Sequence, residues 1–401
     1  MLCAWEVLAS KVPTAAEQPR VVDSVLTRIE RPVDALTLYR ERHGWCPYSE
    51  KVWLALELKG LQYDTVLIDN MGGGRPSWYR GSTPQIMWPD GNTQGESMDL
   101  VKKLDDFYPE TRPLWPPHGG SSAAEVAEMV NGFRHAFPSN ARPSSRAAFL
   151  FSYDGPLPRS TFERCLDATD ALLAKHASGP FFVGAELSAA DVSWAPFLER
   201  YAAQLPCLHE GLTPRDPVRW PHLHAWFEAM DKVPEYACRI KGDNISWARV
   251  LSMQGYGNSG KVPKTTGYVA GSDTHSATLW DAYAGARPFV ATDAAAEAAA
   301  CIVRNRARIA KDALAHETGS TGCAAVDPYT AQDVDEGLRL VASALLETVV
   351  LEEMSSESLR LGAGLAAYLV SRICVPRDMG VPSAMELRQV ARRFEEAVGY
   401  S

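Results

Sequence analysis

One cysteine in this chain has the neighbours that make a nucleophile. Cys46 follows the loop His43-Gly44-Trp45 and precedes Pro47, and Tyr48, Val52, Ala55 and Leu56 then recur at helical spacing until Lys59-Gly60. This places Cys46 at an N-cap with proline at the first helical position. Unpaired backbone N–H groups and the positive end of the helix dipole both favour thiolate there, and cysteines so placed titrate as low as roughly 3.5–7.5. Cys46 is therefore expected to titrate well below a free thiol. Three residues on, where a dithiol oxidoreductase carries its resolving cysteine, stands Ser49. A mixed disulfide formed at Cys46 must then be released by an external thiol.

The other cysteines, Cys3, Cys165, Cys207, Cys238, Cys301, Cys323 and Cys374, lie far apart with neither a Cys-x-x-Cys pair nor zinc-ligand spacing. They read as buried thiols of a reducing, intracellular compartment. Tyr39 ends a β-run, where a tyrosine serves packing. His43 is a loop histidine close to Cys46 in sequence.

The elements that position Cys46 follow from local pattern. Ala35–Tyr39 reads as a strand, the segment after Cys46 as a helix, and Tyr63–Ile68 as a second strand. After the loop Gly72–Gly74 come a third strand, Gln85–Trp88, the turn Pro89-Asp90-Gly91-Asn92 and a short fourth strand. Glu96-Ser97 opens a helix with Met98, Val101 and Leu104 on one face. This β-α-β, then β-β-α order fits an α/β thioredoxin-like domain.

Helical periodicity dominates from about Ser121 to Trp247. Within it Ser188 and Asp191 form a capping box and Leu187 with Val192 a hydrophobic staple, so this serine and aspartate are structural and not parts of a hydrolase triad. Gln254–Ser276 has linker composition. Asp293–Leu314, Ala331–Glu353 and Ser383–Val398 read as helices, the last with a Ser383/Glu386 capping box, and none carries a chemical motif. The implied division is an N-terminal extension (1–33), a thioredoxin-like domain (34–112), an all-helical domain (118–250), a linker (251–280) and a helical extension (281–401). The apolar faces in that extension need a cover: one another, the preceding body, or a protein partner.

A length of 401 residues suits two or three domains, and 46% apolar with 22% charged residues is ordinary for a globular protein. A net charge of −9 without a dense Lys/Arg block excludes a nucleic-acid surface. The most apolar stretch, Leu359–Val375, is interrupted by Arg360, Arg372 and two glycines, so no membrane helix is expected. The first ~30 residues lack the apolar core of a secretory signal. Glu6, Glu17, Asp23 and Glu30 argue against a transit peptide. A cytoplasmic location is expected, with the chloroplast or another organelle as the alternative.

The run Cys46-Pro47-Tyr48-Ser49-Glu50-Lys51-Val52-Trp53, followed by Lys59-Gly60-Leu61, resembles the active-site helix of the cysteine-type glutathione transferases: the lambda, omega and dehydroascorbate-reductase classes. Arg75-Pro76-Ser77-Trp78-Tyr79 and Gly95-Glu96-Ser97-Met98-Asp99-Leu100 resemble lambda-class segments in the same order. The resemblance covers residues 36 to 110 well and 120 to 250 more loosely. It implies a thioredoxin-like domain followed by the all-α transferase domain, with glutathione as cosubstrate. It makes Cys46 the nucleophile and Glu96-Ser97 the site for the γ-glutamyl end of glutathione. Pro84 matches the family's cis-proline, Thr83 offers backbone hydrogen bonds to the cysteinyl part, and Arg75 meets the glycyl carboxylate. A carboxylate can pair with the ligand's ammonium, and a serine hydroxyl with helix N-terminal amides can bind its carboxylate.

One departure is that the stretch between Trp78 and Pro84 is several residues shorter than the family's, which puts the positions of Arg75 and Thr83 in question. The reading is a glutathione-dependent thiol transferase or reductase acting on a small-molecule or protein disulfide. The alternative, favoured by the short segment and the long extension, is a non-catalytic binding or scaffold protein that keeps the fold and uses its C-terminal helices.

Overall fold

The computed structural model describes residues 2–13, 19–25, 36–70, 75–116, 121–143, 157–176, 178–252, 276–316 and 329–399. The chain divides into two compact units, Pro19–Thr274 and a second made of Met1–Gln18 with His275–Ser401. Helix α1 (Trp5–Ala9) belongs to the second.

The sheet of the first unit contains β1 (Val21–Asp23), β2 (Thr37–Glu41), β3 (Asp64–Ile68), β4 (Gln85–Met87) and β5 (Thr93–Gln94) in the order β1-β3-β2-β4-β5. β2 and β3 run parallel, with Leu38 opposite Thr65, and β4 returns antiparallel to β2, with Ile86 opposite Leu38. A parallel pair needs a crossover, and α2 (Pro47–Leu58) supplies it. All five residues of β2 are buried, as a central strand covered on both faces requires. The tight turn at Asp90-Gly91 joins β4 to β5, with Gly91 at φ 79°, and α3 (Ser97–Phe107) follows. This is the thioredoxin-like arrangement, with β1 added at the edge.

The same unit continues with α4 (Ser121–Ala136), α5 (Arg159–Ala174), α6 (Ala189–Leu208), α7 (Pro221–Met230), a π-helical turn (Tyr236–Ile240) and α8 (Asn244–Ser252). α6 is its axis, buried from Ala189 to Leu205. The Ser188/Asp191 capping box starts it, and Asp191 Oδ1 also accepts from Phe182 N at 3.1 Å and Trp226 Nε1 at 2.9 Å. Phe133, Phe137, Trp194 and Phe197 pack around this axis with ring centroids about 5 Å apart.

The second unit is helical: α1, α9 (Ala277–Gly285), α10 (Ala294–His316), α11 (Ala331–Leu345), α12 (Ser356–Arg372) and α13 (Val381–Gly399). Val334, Leu338, Val341 and Leu345 of α11 and Leu387, Val390 and Phe394 of α13 share one core. The apolar faces of α11 and α13 thus cover one another. A Thr330/Asp333 capping box starts α11.

Several features differ from the sequence reading. The helix expected over Ala331–Glu353 stops at Leu345, with a separate 3-10 turn at Leu351–Glu353, and the expected linker 251–280 is helical at both ends, in α8 up to Ser252 and in α9 from Ala277. The segment 1–33 is parted: Leu8 lies in the helical core of the second unit, whereas Val21–Asp23 pairs with β3. α13 begins two residues before the expected cap, so Ser383 is its third residue, fully buried, and caps nothing. α12 covers most of the apolar stretch Leu359–Val375, to which the sequence reading assigns no element; Gly362 and Gly364 lower its helix propensity. A Cβ on Gly362 would lie 2.4 Å from Phe394 Cε1, so the glycine is there for helix–helix contact. Gly72–Gly74, Cys323 and nearly all of Gln254–Ser276 lie outside the described residues. Among the described residues no helix is long and apolar enough to cross a membrane.

Candidate active site around Cys46

Cys46 is placed by the loop that leaves β2. Glu41, the last residue of that strand, accepts from the N–H of His43 at 2.7 Å and of Trp45 at 2.8 Å. Gly44, at φ 75°, allows the chain to turn between them. The carbonyl of Trp45 accepts from Arg200 Nη2 of α6 at 3.2 Å. Arg200 is fully buried and pairs with Glu50 at 2.8 Å and Glu199 at 2.9 Å. Two carboxylates on one guanidinium leave an excess of negative charge. Burial, then repulsion from Glu50, raises Glu199 well above the usual carboxylate range. Tyr236 Oη, at 3.2 Å, and Gly242 N–H donate to Glu199 Oε2.

Cys46 caps α2 with extended backbone, and its Sγ lies 3.9 Å from the carbonyl oxygen of Thr83. Its electrostatics differ from the sequence expectation. The residue is 2% exposed, and burial pushes the thiol up. The Ser49 hydroxyl and the N–H groups of Ser49 and Tyr48 pull the other way, and the Glu41 carboxylate adds to the rise. The helix start acts as expected, but loss of water outweighs it.

Thr83–Pro84 is a cis peptide, and Thr83 Oγ1 accepts from Asn70 Nδ2 at 2.7 Å. Thr83 and Pro84 therefore stand beside Cys46 despite the short segment before them. That segment closes on itself: Tyr79 Oη donates to Ser82 O at 3.0 Å and Gln85 Nε2 to Arg80 O at 2.5 Å. Arg75 takes part, donating to the carbonyl of Gly81 with its guanidinium 5.0 Å from the Tyr79 ring centre. Glu96 is the N-cap of α3 at φ 66°, an unusual conformation for a non-glycine residue, and no side chain caps that helix. Glu96 is exposed and Ser97 half-buried. Among the described residues no hydrogen bond or ion pair joins Arg75, Glu96 or Ser97 to Cys46.

Tyr39 is buried, with its hydroxyl on Met87 Sδ at 3.7 Å and its ring against Trp78 and Tyr79, so it is a packing residue. His43 stacks on Trp45 with centroids 4.5 Å apart. Sequence reasoning missed Glu41, Arg200 and Glu199, because Arg200 lies 155 residues from the Trp45 carbonyl it holds and no local pattern links them.

Profiles of known families match this chain twice: the glutathione S-transferase N-terminal domain over residues 45–106 and its C-terminal domain over residues 159–229. Glutathione S-transferase L3 of Arabidopsis thaliana is 29% identical over 197 residues, which span 48% of this chain and 77% of that protein. Protein IN2-1 homolog B of Oryza sativa is 30% identical over 197 residues, spanning 48% of this chain and 75% of that protein. Among solved structures, Chlamydomonas reinhardtii dehydroascorbate reductase is 25% identical with a TM-score of 0.36, covering 50% of this chain and 90% of that one.

Proposed function

This chain belongs to the glutathione S-transferase family, and from that premise we propose that it is a glutathione-dependent thiol transferase whose reactive group is Cys46. The observation that carries the reading is the placement of the Cys46 thiol at the start of α2, against the Thr83 carbonyl, with Ser49 where a second thiol would be. The thiolate of Cys46 attacks the glutathione sulfur of a mixed disulfide, the partner thiolate leaves, and a glutathionyl–Cys46 disulfide remains. A second glutathione thiolate then attacks that bond, forming oxidised glutathione and freeing Cys46 as thiolate. The cycle balances: one glutathione thiolate is consumed, one substrate thiolate is released, and the disulfide bond passes from the mixed disulfide to oxidised glutathione.

Family members use glutathione as cosubstrate. The fit of this chain rests on three groups. The Thr83 backbone before cis-Pro84 is available to the cysteinyl amide of the ligand. Glu96 and Ser97 at the uncapped start of α3 suit the γ-glutamyl ammonium and carboxylate. The positive φ of Glu96 costs about 1–3 kcal/mol, a strain typical of ligand clamps. Arg75 suits the glycyl carboxylate once released from Gly81.

The test is intact-mass measurement after treatment with oxidised glutathione. One added glutathione, absent from Cys46→Ala, with turnover of a glutathione mixed disulfide, is the expected result. A bridge between Cys46 and another protein cysteine would rule the monothiol cycle out.

A further inference from the structure

Three lysines among the described residues are buried: Lys51, Lys59 and Lys241. Lys59 has Asp105 at 2.7 Å and Lys241 has Asp231 at 2.8 Å. Lys51, on α2 five residues after Cys46, has no carboxylate among the described residues. Its ammonium donates to Ser193 Oγ of α6 at 3.2 Å and otherwise faces the rings of Phe133, Phe197 and Tyr48, with Nζ 4.8, 5.2 and 5.6 Å from their centres. An ammonium has three donors, so one bond leaves it short. Ring faces recover part of the lost hydration, about 0.5–2 kcal/mol each at best, but they do not replace a counter-ion.

The charges around Lys51 worsen its position. Burial and then the positive charges of Arg142 and Arg134 hold its titration down to about 7, while Cys46 is the one group that acts the other way. Arg142 lies 5.9 Å from the Phe133 ring centre, just past α4, and Arg134 is exposed on α4. Neither forms an ion pair among the described residues. Lys51 and Arg142 thus both lie over the Phe133 ring with no acid between them among the described residues, whereas the other two buried lysines each have one.

We propose that the missing counter-ion arrives with the second substrate: the thiol half displaced from glutathione carries a carboxylate or sulfonate, received by Lys51 and Arg142. This rests on the thiol-transferase reading above. In the first step the Cys46–sulfur bond forms, the disulfide breaks and the departing half leaves as a thiolate, so it bears charge at its sulfur as well as at its acid. A nearby ammonium stabilises both, most strongly as the bond breaks. Glutathione's own carboxylates belong to Arg75 and Ser97 in this reading, so the acid received by Lys51 is that of the other thiol half.

The test compares glutathione mixed disulfides of 3-mercaptopropionate, 2-mercaptoethanol and cysteamine, which share one glutathione half and differ in the charge of the other. The expected order of kcat/KM is anionic over neutral over cationic, with about tenfold between the extremes, a size set by partial burial of the pair. Lys51→Met narrows that ratio toward one and Lys51→Arg keeps it. Should Lys51→Met fail to fold, Arg142→Gln, at a half-buried position, reads the same ratio. Equal kcat/KM for the three disulfides in the unaltered protein overturns the anion site and leaves the thiol transferase standing. A loss in Lys51→Met that falls on the KM for reduced glutathione overturns the assignment to the second substrate. If none of the three is turned over, the thiol-transferase reading fails. Calorimetry with S-methyl-3-mercaptopropionate then decides the anion site alone, which stands if binding is lost in Lys51→Met and falls if no binding occurs.

Discussion

Arg200 donates to the carbonyl of Trp45 across the two layers of the first unit, so the residue before Cys46 is fixed at its N–H by Glu41 of the sheet and at its carbonyl by α6 of the helical layer. The thiol's position therefore depends on a buried charge network as well as on the helix it caps. Arg200 also lies over the Trp247 ring at 3.9 Å, which leaves the guanidinium little freedom.

Arg200→Met should destabilise the protein by about 3–5 kcal/mol, because it strands Glu50 and Glu199 without their cation. Arg200→Lys should fall between, since a point charge cannot hold both carboxylates and the Trp45 carbonyl. Denaturant midpoints measure this. A loss below about 1 kcal/mol in the Met variant would show that the network carries no weight.

Because burial holds the Cys46 thiol above the ordinary cysteine value, its alkylation should accelerate with pH and show no plateau between pH 6 and 8. The sign for stability is definite. A raised folded value means that the contribution of Cys46 is fully present below the unfolded value of roughly 8.5 and is lost as pH rises through the folded one. Relative to Cys46→Ala, the protein should lose stability above about pH 9, and pH-resolved melting is the check. A plateau of alkylation near pH 6 would restore the low-titrating thiolate that the isolated motif suggests.

What local chemistry sets was legible in the chain; what distant partners set was not. The strand-loop-cysteine-helix order and the Ser188/Asp191 box stand as read, since both are decided within a few residues. β1 has only three residues, Val21–Asp23, and becomes a strand by pairing with β3, so no pattern announces it. The Ser383/Glu386 signature has the right spacing, but the chain enters α13 two residues earlier, with Ala384 N–H bonded to the Gly380 carbonyl at 3.1 Å. At Cys46 the dipole and amides can be read from Pro47 onward, whereas the burial that reverses their effect comes from tertiary packing. Lys51 would pass for an exposed helix charge until Ser193 and Phe197 are seen against it.

Gly362→Val should destabilise the helical unit by about 1–3 kcal/mol, through the overlap with Phe394 that would force α12 and α13 apart. Gly285→Ala is the matched control. Nothing lies within 4 Å of its added methyl, so the change should be neutral or stabilising by up to about 1 kcal/mol. Calorimetry that found both variants alike would mean that close approach at Gly362 is not what the glycine serves.

The last expectation concerns where the chain can be cut. A chain spanning residues 19–274 should fold and keep its Cys46 chemistry, because the sheet, α2 and the helices around α6 make their contacts within that unit. Removing residues 275–401 alone should do worse. Trp5 donates to Asp335 at 2.7 Å and has Arg306 at 5.2 Å, and fully buried Leu8 shares the core of α10 to α13, so the cut strips α1 of everything that covers it. Exposing a Trp and a Leu costs about 1.5–3 kcal/mol each and leaves an apolar patch that favours association. Residues 1–274 should therefore aggregate at concentrations where residues 19–274 stay monomeric, and sedimentation of the two chains compares them directly. If residues 19–274 fail to fold or lose reaction with oxidised glutathione, the C-terminal helices are part of the transferase body and the division at residue 274 is wrong.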